Sequence, residues 1–219
     1  MAAPLLDAVR ASIARAARTA GREADEITIV AISKTHGADD IVPLLAAGQR
    51  DFGENRIQEA AAKWPALRER WPGIKLHFVG RLQSNKAEEA VLLCDAVHSI
   101  DRPSLVEALA RGQDKADRRP SCFVQVNIGD EPQKAGCLIS DLPALLGLAR
   151  TAGLDVSGLM CLPPEGLEPA PYFALLAKLG RDNGVAGLSM GMSGDFETAV
   201  KIGATHVRVG TALFGAREA

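Results

Sequence analysis

GLSMGMSGDFETAVKIGATHVRVGTALFG, from Gly187 to Gly215, is the stretch whose reading decides the fold. Its first residues read as a short strand and Gly191 to Asp195 as a loop of small residues. Phe196, Ala199, Val200 and Ile202 give the next segment the apolar side of a helix, and Gly203 ends it. The alternation His206-Val207-Arg208-Val209 is then a second strand, which stops at Gly210-Thr211. Two strand ends with small, hydroxyl-bearing loops, one helix apart, bring backbone N–H groups and helix N-termini to one edge of a sheet, where an anion is stabilised. Either loop alone reads equally well as an ordinary helix start, because Ser, Gly and Asp favour N-caps with or without a ligand. Together they match the phosphate-binding loops that follow strands seven and eight of a (β/α)8 barrel. That reading requires six strands upstream.

The chain order supplies them. Strand-like runs fall at Ile27–Ser33, Asp51–Gly53, Leu76–Gly80, Ala96–Ile100, Cys122–Ile128 and Val156–Leu162, and helix-like runs lie between them. One of these, Ile57–Arg70, is expected to be interrupted by Pro65. Strict alternation implies parallel strands with helical crossovers, and eight repeats favour closure. The expected fold is α/β, a single (β/α)8 TIM barrel over residues 1–219, with an extra N-terminal helix whose stripe Leu5, Val9, Ile13 packs across the bottom. An open doubly wound sheet is the alternative, but no Gly-x-Gly-x-x-Gly turn follows the first strand.

Composition narrows the function. With 219 residues, 47% of them hydrophobic, the chain can bury a full core. A net charge of −2, dispersed Lys and Arg, and only 4% aromatic residues argue against a nucleic-acid partner. No uncharged apolar run approaches the ~20 residues that span a bilayer, so no membrane partner is expected. Cys94, Cys122, Cys137 and Cys161 form no Cys-x-x-Cys pair, which fits a reduced, cytoplasmic protein with neither a disulfide framework nor a zinc site. No His and carboxylate pair has metal spacing on one element, and no metal is expected.

Side chains that act in a barrel sit where strands end, and the first strand ends in Ser33-Lys34-Thr35-His36. A lysine in a partly desolvated mouth is the type of amine that forms Schiff bases, whereas a solvated lysine snorkelling at a strand end is the plain alternative. A phosphate anchor facing an amine across the mouth suits an aldehyde that carries a phosphate, and pyridoxal 5′-phosphate fits that description. Asn55, after the second strand, either hydrogen-bonds the phenolic oxygen of such a cofactor or caps the helix beginning at Ile57. Arg208 lies on the eighth strand, which adjoins the first in a closed barrel. A guanidinium that meets a pyridine nitrogen keeps it unprotonated, and the electron sink is then weak. His77 and His98, on strands three and four, read as strand histidines with satisfied hydrogen bonds. Met160, Met190 and Met192 either line the cofactor face or fill gaps at the barrel end.

These residues resemble the YggS/PROSC family of pyridoxal phosphate homeostasis proteins over nearly the whole chain. The matching motifs are Ile32-Ser33-Lys34-Thr35, Phe52-Gly53-Glu54-Asn55, His77-Phe78-Val79-Gly80 with Leu82-Gln83-Ser84-Asn85-Lys86, Asn127-Ile128 with Lys134-Ala135-Gly136, Gly158-Leu159-Met160, and the C-terminal stretch. The resemblance implies a barrel similar to the N-terminal domain of alanine racemases, with the cofactor held as an internal aldimine. Carried over by position, Lys34 is the aldimine lysine, Arg208 the partner of the pyridine nitrogen, Ser193, Gly210 and Thr211 the phosphate shell, and Asn55 the residue beside the ring. Many relatives have Lys-Pro where His36-Gly37 stand and Tyr-Val where Arg56-Ile57 stand, which alters the shape and charge of the mouth.

The expected function is that of a carrier of pyridoxal phosphate without robust turnover of its own, a cytoplasmic monomer that hands the cofactor to apo-enzymes. Racemisation needs an acid and a base on opposite faces, Lys34 supplies one, and the sole tyrosine, Tyr172, falls at the start of an outer helix. The second domain that carries the tyrosine of alanine racemases is expected to be absent from this chain. A pyridoxal-dependent racemase is the alternative, and a cofactor-free lysine aldolase a third reading. Lys134, in a polar loop after strand five, is expected either to help the cofactor enter and leave or to be a solvated loop lysine.

Overall fold

Eight parallel strands close into a barrel in simple sequence order. They are β1 (Thr28–Ile32), β2 (Asp51–Glu54), β3 (Lys75–Phe78), β4 (Ala96–Ile100), β5 (Ser121–Val126), β6 (Asp155–Cys161), β7 (Gly187–Met192) and β8 (His206–Val209). The structure is a computed structural model and describes residues 2–215. Closure joins β8 to β1 in parallel, with Val30 opposite Arg208 and Ala31 opposite Val209. The barrel expected from the alternation is therefore the one observed.

Seven crossover helices form the outer ring: α2 (Ala38–Ala46), α3 (Ile57–Arg70), α4 (Ala87–Leu93), α5 (Pro103–Ala116), α6 (Leu142–Thr151), α7 (Ala170–Asp182) and α8 (Phe196–Lys201). Each buries one side, as Leu105, Val106 and Leu109 do for α5 and Leu142, Leu145, Leu146 and Ala149 for α6. α3 runs unbroken through Pro65, contrary to the interruption read from the sequence. Proline removes one helical hydrogen bond, but Trp64 and Leu67 beside it are buried and hold both halves of the helix on the barrel.

The N-terminal helix α1 (Ala2–Thr19) does not cross the bottom of the barrel as its apolar stripe suggested. It packs in the outer ring against α2, α8 and the single turn α9 (Thr211–Phe214). Among the described residues only the four of α9 follow β8 as helix, and α1 covers the seam between β8 and β1. The buried stripe is Leu6, Val9, Ile13, Ala16 and Ala17, while Leu5 is exposed. Each large side chain of that stripe contributes about 1.5–3 kcal/mol by leaving water.

Inside the barrel, side chains from the strands fill the axis. Gly53 makes room for this packing: a Cβ there would lie 2.5 Å from the Ile32 Cδ1 and 2.9 Å from the Val30 Cγ1. Gly158 and Gly187, paired across β6 and β7, let two backbones approach where a Cβ on Gly158 would stand 2.2 Å from the Gly187 carbonyl oxygen. No helix among the described residues is long and apolar enough to cross a membrane.

Candidate functional site

The turn after β1 is tied down by a buried charge network. Glu54, the last residue of β2, is fully buried, and one of its oxygens accepts hydrogen bonds from the Ser33 hydroxyl at 2.7 Å and the Trp64 indole at 3.1 Å. The same oxygen is 2.7 Å from the Lys63 ammonium, which also donates to the carbonyls of Ser33 and His36, each at 2.9 Å. Thr35 sits in the left-handed region at φ 67°, and its N–H donates to the Glu59 carboxylate at 2.5 Å. A threonine holds such a conformation only when its surroundings over-determine it. Glu54, Glu59 and Lys63 therefore fix the backbone that carries Lys34. The sequence reading gave none of the three a role; the signal was an acidic residue closing the second strand, followed by Glu59 and Lys63 one helical turn apart.

Lys34, His36, Ser193, Arg208, Gly210 and Thr211 line one cavity of about 310 Å3 at the C-terminal ends of β1, β7 and β8. That volume is at the small end of ligand pockets. Lys34 and the small-residue loops thus stand on neighbouring strands of the closed barrel, not across its mouth. The Ser193 hydroxyl accepts the N–H groups of Gly210 and Ala212, each at 3.3 Å, which links the two loops. Among the described residues the amides of Gly194 and Thr211, which also line the cavity, have no acceptor. Unpartnered N–H groups converging on a hollow are what an anion needs.

Arg208 is buried below these loops. Its two terminal nitrogens donate to the Ser189 hydroxyl and the Cys161 carbonyl, each at 2.8 Å, and so the guanidinium plane is set. The His36 ring stacks on Phe214, with centroids 4.2 Å apart and planes 15° from parallel, and its Nδ1 lies 3.2 Å from the Asp40 carboxylate.

Asn55 stands at the end of β2, the strand beside β1. The chain turns into α3 directly after Glu54, and the Asn55 backbone packs so closely on Gly80 that a Cβ there would meet the Asn55 carbonyl oxygen at 2.2 Å. Asn55 consequently lines an adjoining cavity with Arg81 and Lys86, and the N-cap of α3 is Arg56. Lys134 pairs with Glu131 at 2.7 Å and donates to the Pro163 carbonyl at 3.2 Å. Met192 lines the Lys34 cavity, whereas Met160 and Met190 are buried in the barrel. The four cysteines are free and buried.

Comparison with known proteins agrees with this fold. Residues 5–218 match the family model described as alanine racemase, N-terminal domain. The chain is 42% identical over 212 residues to a pyridoxal phosphate homeostasis protein of Deinococcus radiodurans, covering 94% of this chain and 98% of the relative. It is 39% identical over 216 residues to one of Pseudomonas aeruginosa, covering 96% and 93% of the two chains. Among solved structures, PipY of Synechococcus elongatus with pyridoxal phosphate bound superposes with a TM-score of 0.85 at 38% identity, covering 98% of this chain and all (100%) of that one. A Clostridium difficile alanine racemase shares the fold at a TM-score of 0.70 and 13% identity, over 94% of this chain and 56% of the racemase. An amine, a buried guanidinium and two amides without an acceptor at the strand ends of a closed barrel, in a chain so similar to these relatives, lead to one conclusion: the chain belongs to the pyridoxal phosphate homeostasis family, within the group that shares the alanine racemase N-terminal domain.

Proposed function

We propose that this protein binds pyridoxal 5′-phosphate in the Lys34 cavity and serves the homeostasis of that cofactor as a carrier. The observation that carries the proposal is the convergence of Lys34, Arg208 and the two amides without an acceptor on one cavity of about 310 Å3. These residues fit the cofactor: the hollow suits a dianionic phosphate and the amine suits an aldehyde. Pyridoxal phosphate is bound in the similar PipY structure, which supports the reading.

When bound, the cofactor supplies an aldehyde able to condense with an amine and a ring able to withdraw electrons. Lys34 is the amine we assign to a Schiff-base linkage, on a turn that Lys63 and Glu54 hold in place. Ser193, Gly210 and Thr211 hold the phosphate through backbone N–H groups and hydroxyls. Arg208 would meet the ring nitrogen. As a group that only donates, it would keep that nitrogen an acceptor and limit electron withdrawal. Asn55, following the strand next to β1, completes the set from the rim.

A carrier is favoured over a racemase because Lys34 and His36 share one turn, and Tyr172 lies on α7, outside the residues that line the cavity. Two-sided proton transfer needs groups on opposite faces. We further propose that the protein acts as a cytoplasmic, single-domain monomer and gives the cofactor to apo-enzymes that depend on it, with Lys134 assisting at the loop after β5.

Absorption spectra of protein mixed with pyridoxal phosphate, followed by borohydride reduction and peptide mapping, test the assignment. The expected adduct is on Lys34, and Lys34→Ala loses both the visible band and the adduct. An unchanged band in Lys34→Ala, with the adduct on another lysine, overturns it.

A further inference from the structure

A line of hydrogen bonds runs through the inside of the barrel from its lower opening to its upper one. The lower opening holds a cavity of about 430 Å3 lined by first residues of strands, among them Asp51, Lys75 and His206. From there Asp51 Oδ1 is 3.0 Å from His77 Nε2, and His77 Nδ1 is 3.0 Å from His98 Nε2. His98 Nδ1 is 2.8 Å from the Ser189 hydroxyl, which receives the Arg208 Nη1 hydrogen at 2.8 Å. Arg208 lines the upper cavity. Five side chains from β2, β3, β4, β7 and β8 thus form one connected series.

The chemistry of the two ends dictates the direction of every bond between them. A guanidinium only donates, an ionised carboxylate only accepts, and a neutral imidazole does one of each. The Ser189 oxygen accepts from Arg208, and His98 Nδ1 is the acceptor within the series for the Ser189 hydrogen. His98 then carries its proton on Nε2 and gives it to His77 Nδ1, and His77 carries its proton on Nε2 and gives it to Asp51. The opposite sense would present a bare His77 Nε2 to a carboxylate, or require a His77 cation, and would leave the buried Ser189 hydrogen with no acceptor in the series. The charged and titratable groups facing these rings are Asp51 from β2, Lys75 on β3 itself, Asp95 preceding β4, and His206 and Arg208 from β8. Burial, with His77, His206 and Arg208 nearby, holds the His98 imidazole well below the usual histidine range, which keeps it neutral.

We propose that Asp51, His77, His98 and Ser189 are positioning residues that aim Arg208 at the upper cavity, with the Asp51 carboxylate, at the far opening of the barrel, setting the sense of the whole series. This rests on the reading that Arg208 meets bound pyridoxal phosphate. Neither Asp51 nor His77 lines the upper cavity, so an effect of either on the cofactor has to travel through the series.

The test uses 15N-histidine-labelled full-length protein without ligand, in which ring nitrogen shifts and couplings report the tautomers, and a parallel titration with pyridoxal phosphate read by absorption. Wild-type protein is expected to carry the proton on Nε2 of both His77 and His98. Asp51→Asn, whose amide either accepts or donates, is expected to show mixed tautomers at His98 and about tenfold weaker pyridoxal phosphate binding, while Asp51→Glu restores both. A wild-type His98 protonated on Nδ1 overturns the series itself. An Asp51→Asn variant with wild-type tautomers and wild-type affinity overturns the positioning role. Wild-type protein that leaves the spectrum of pyridoxal phosphate unchanged overturns the cofactor reading, and the positioning role falls with it.

Discussion

Replacing Lys63 with methionine keeps the unbranched stem to the fourth atom and deletes the ammonium that braces the Lys34 turn. In the folded protein the Lys63 side chain is only 9% exposed and sits 2.7 Å from a Glu54 carboxylate that is fully buried. Its removal leaves Glu54 with the Ser33 hydroxyl and the Trp64 indole as its remaining donors, and frees the Ser33 and His36 carbonyls. The other Glu54 oxygen already has no partner among the described residues. Breaking a buried ion pair from one side costs about 3–5 kcal/mol, because the stranded charge stays in a poorly polarisable interior. At about 2–4 °C of Tm per kcal/mol for a chain of this size, Lys63→Met should melt roughly 6–20 °C below wild type. Its urea midpoint should fall correspondingly, and the borohydride adduct on Lys34 should form in lower yield as the turn relaxes. Adding Glu54→Gln should recover at least half of the lost stability, since the amide leaves no buried charge unpaired. A Lys63→Met variant within about 1 kcal/mol of wild type, or a double variant no more stable than Lys63→Met alone, would refute the claim that this pair holds the turn.

The phosphate loops give a second expectation: Ser193→Ala removes a hydroxyl that bridges both loops, and losing one hydrogen bond to a charged group should weaken pyridoxal phosphate binding by about one to two decades. Pyridoxal without its phosphate should bind more weakly still, and equal affinities in a spectroscopic titration would count against the anion hollow. Burial pushes the thiols of Cys94, Cys122, Cys137 and Cys161 up to about 12, so the folded protein should react with a thiol-specific reagent at pH 8 far more slowly than the urea-unfolded chain, in which all four should titrate. Fast stoichiometric labelling of the native protein would contradict that burial. Burial lowers His206 to about 4, below its ordinary value of 6.5, and lowers His98 as well. The unfolded chain therefore takes up protons that the folded one refuses as pH drops below 6.5. Stability should be at its plateau above that value and decline as pH falls toward 4, with His206 accounting for about 3 kcal/mol at most. Flat urea midpoints between pH 7 and 4.5 would argue against buried neutral histidines.

Much of the architecture was legible along the chain. Strands and helices carry different periods of apolar residues, and eight alternations leave little choice but closure, which by itself places Arg208 beside the first strand. Lys34, Ser193, Gly210 and Thr211 were legible for a related reason: each sits where a strand ends, and in this fold strand ends converge. α1 was read as a helix but put in the wrong place, since its stripe says which side is buried and not against what. Pro65 misled because propensity is a local quantity and the packing of Trp64 and Leu67 outweighs it.

What the sequence by itself determined is the set of elements, their order, the closed barrel and the strand ends at which chemistry gathers, because periodicity and turn residues act over a few neighbours. What only the tertiary structure decided is which side chains meet. Glu54 and Lys63 are nine positions apart, Asn55 lines a cavity with Arg81 and Lys86, and the series from Asp51 to Arg208 draws on five strands between residues 51 and 209. Such contacts depend on the direction a chain takes at a strand end and on the stagger with which strands align around the barrel. A shift of one residue in that register would turn His77 or His98 to the opposite face, so their partnership is a property of the closed sheet and not of either strand.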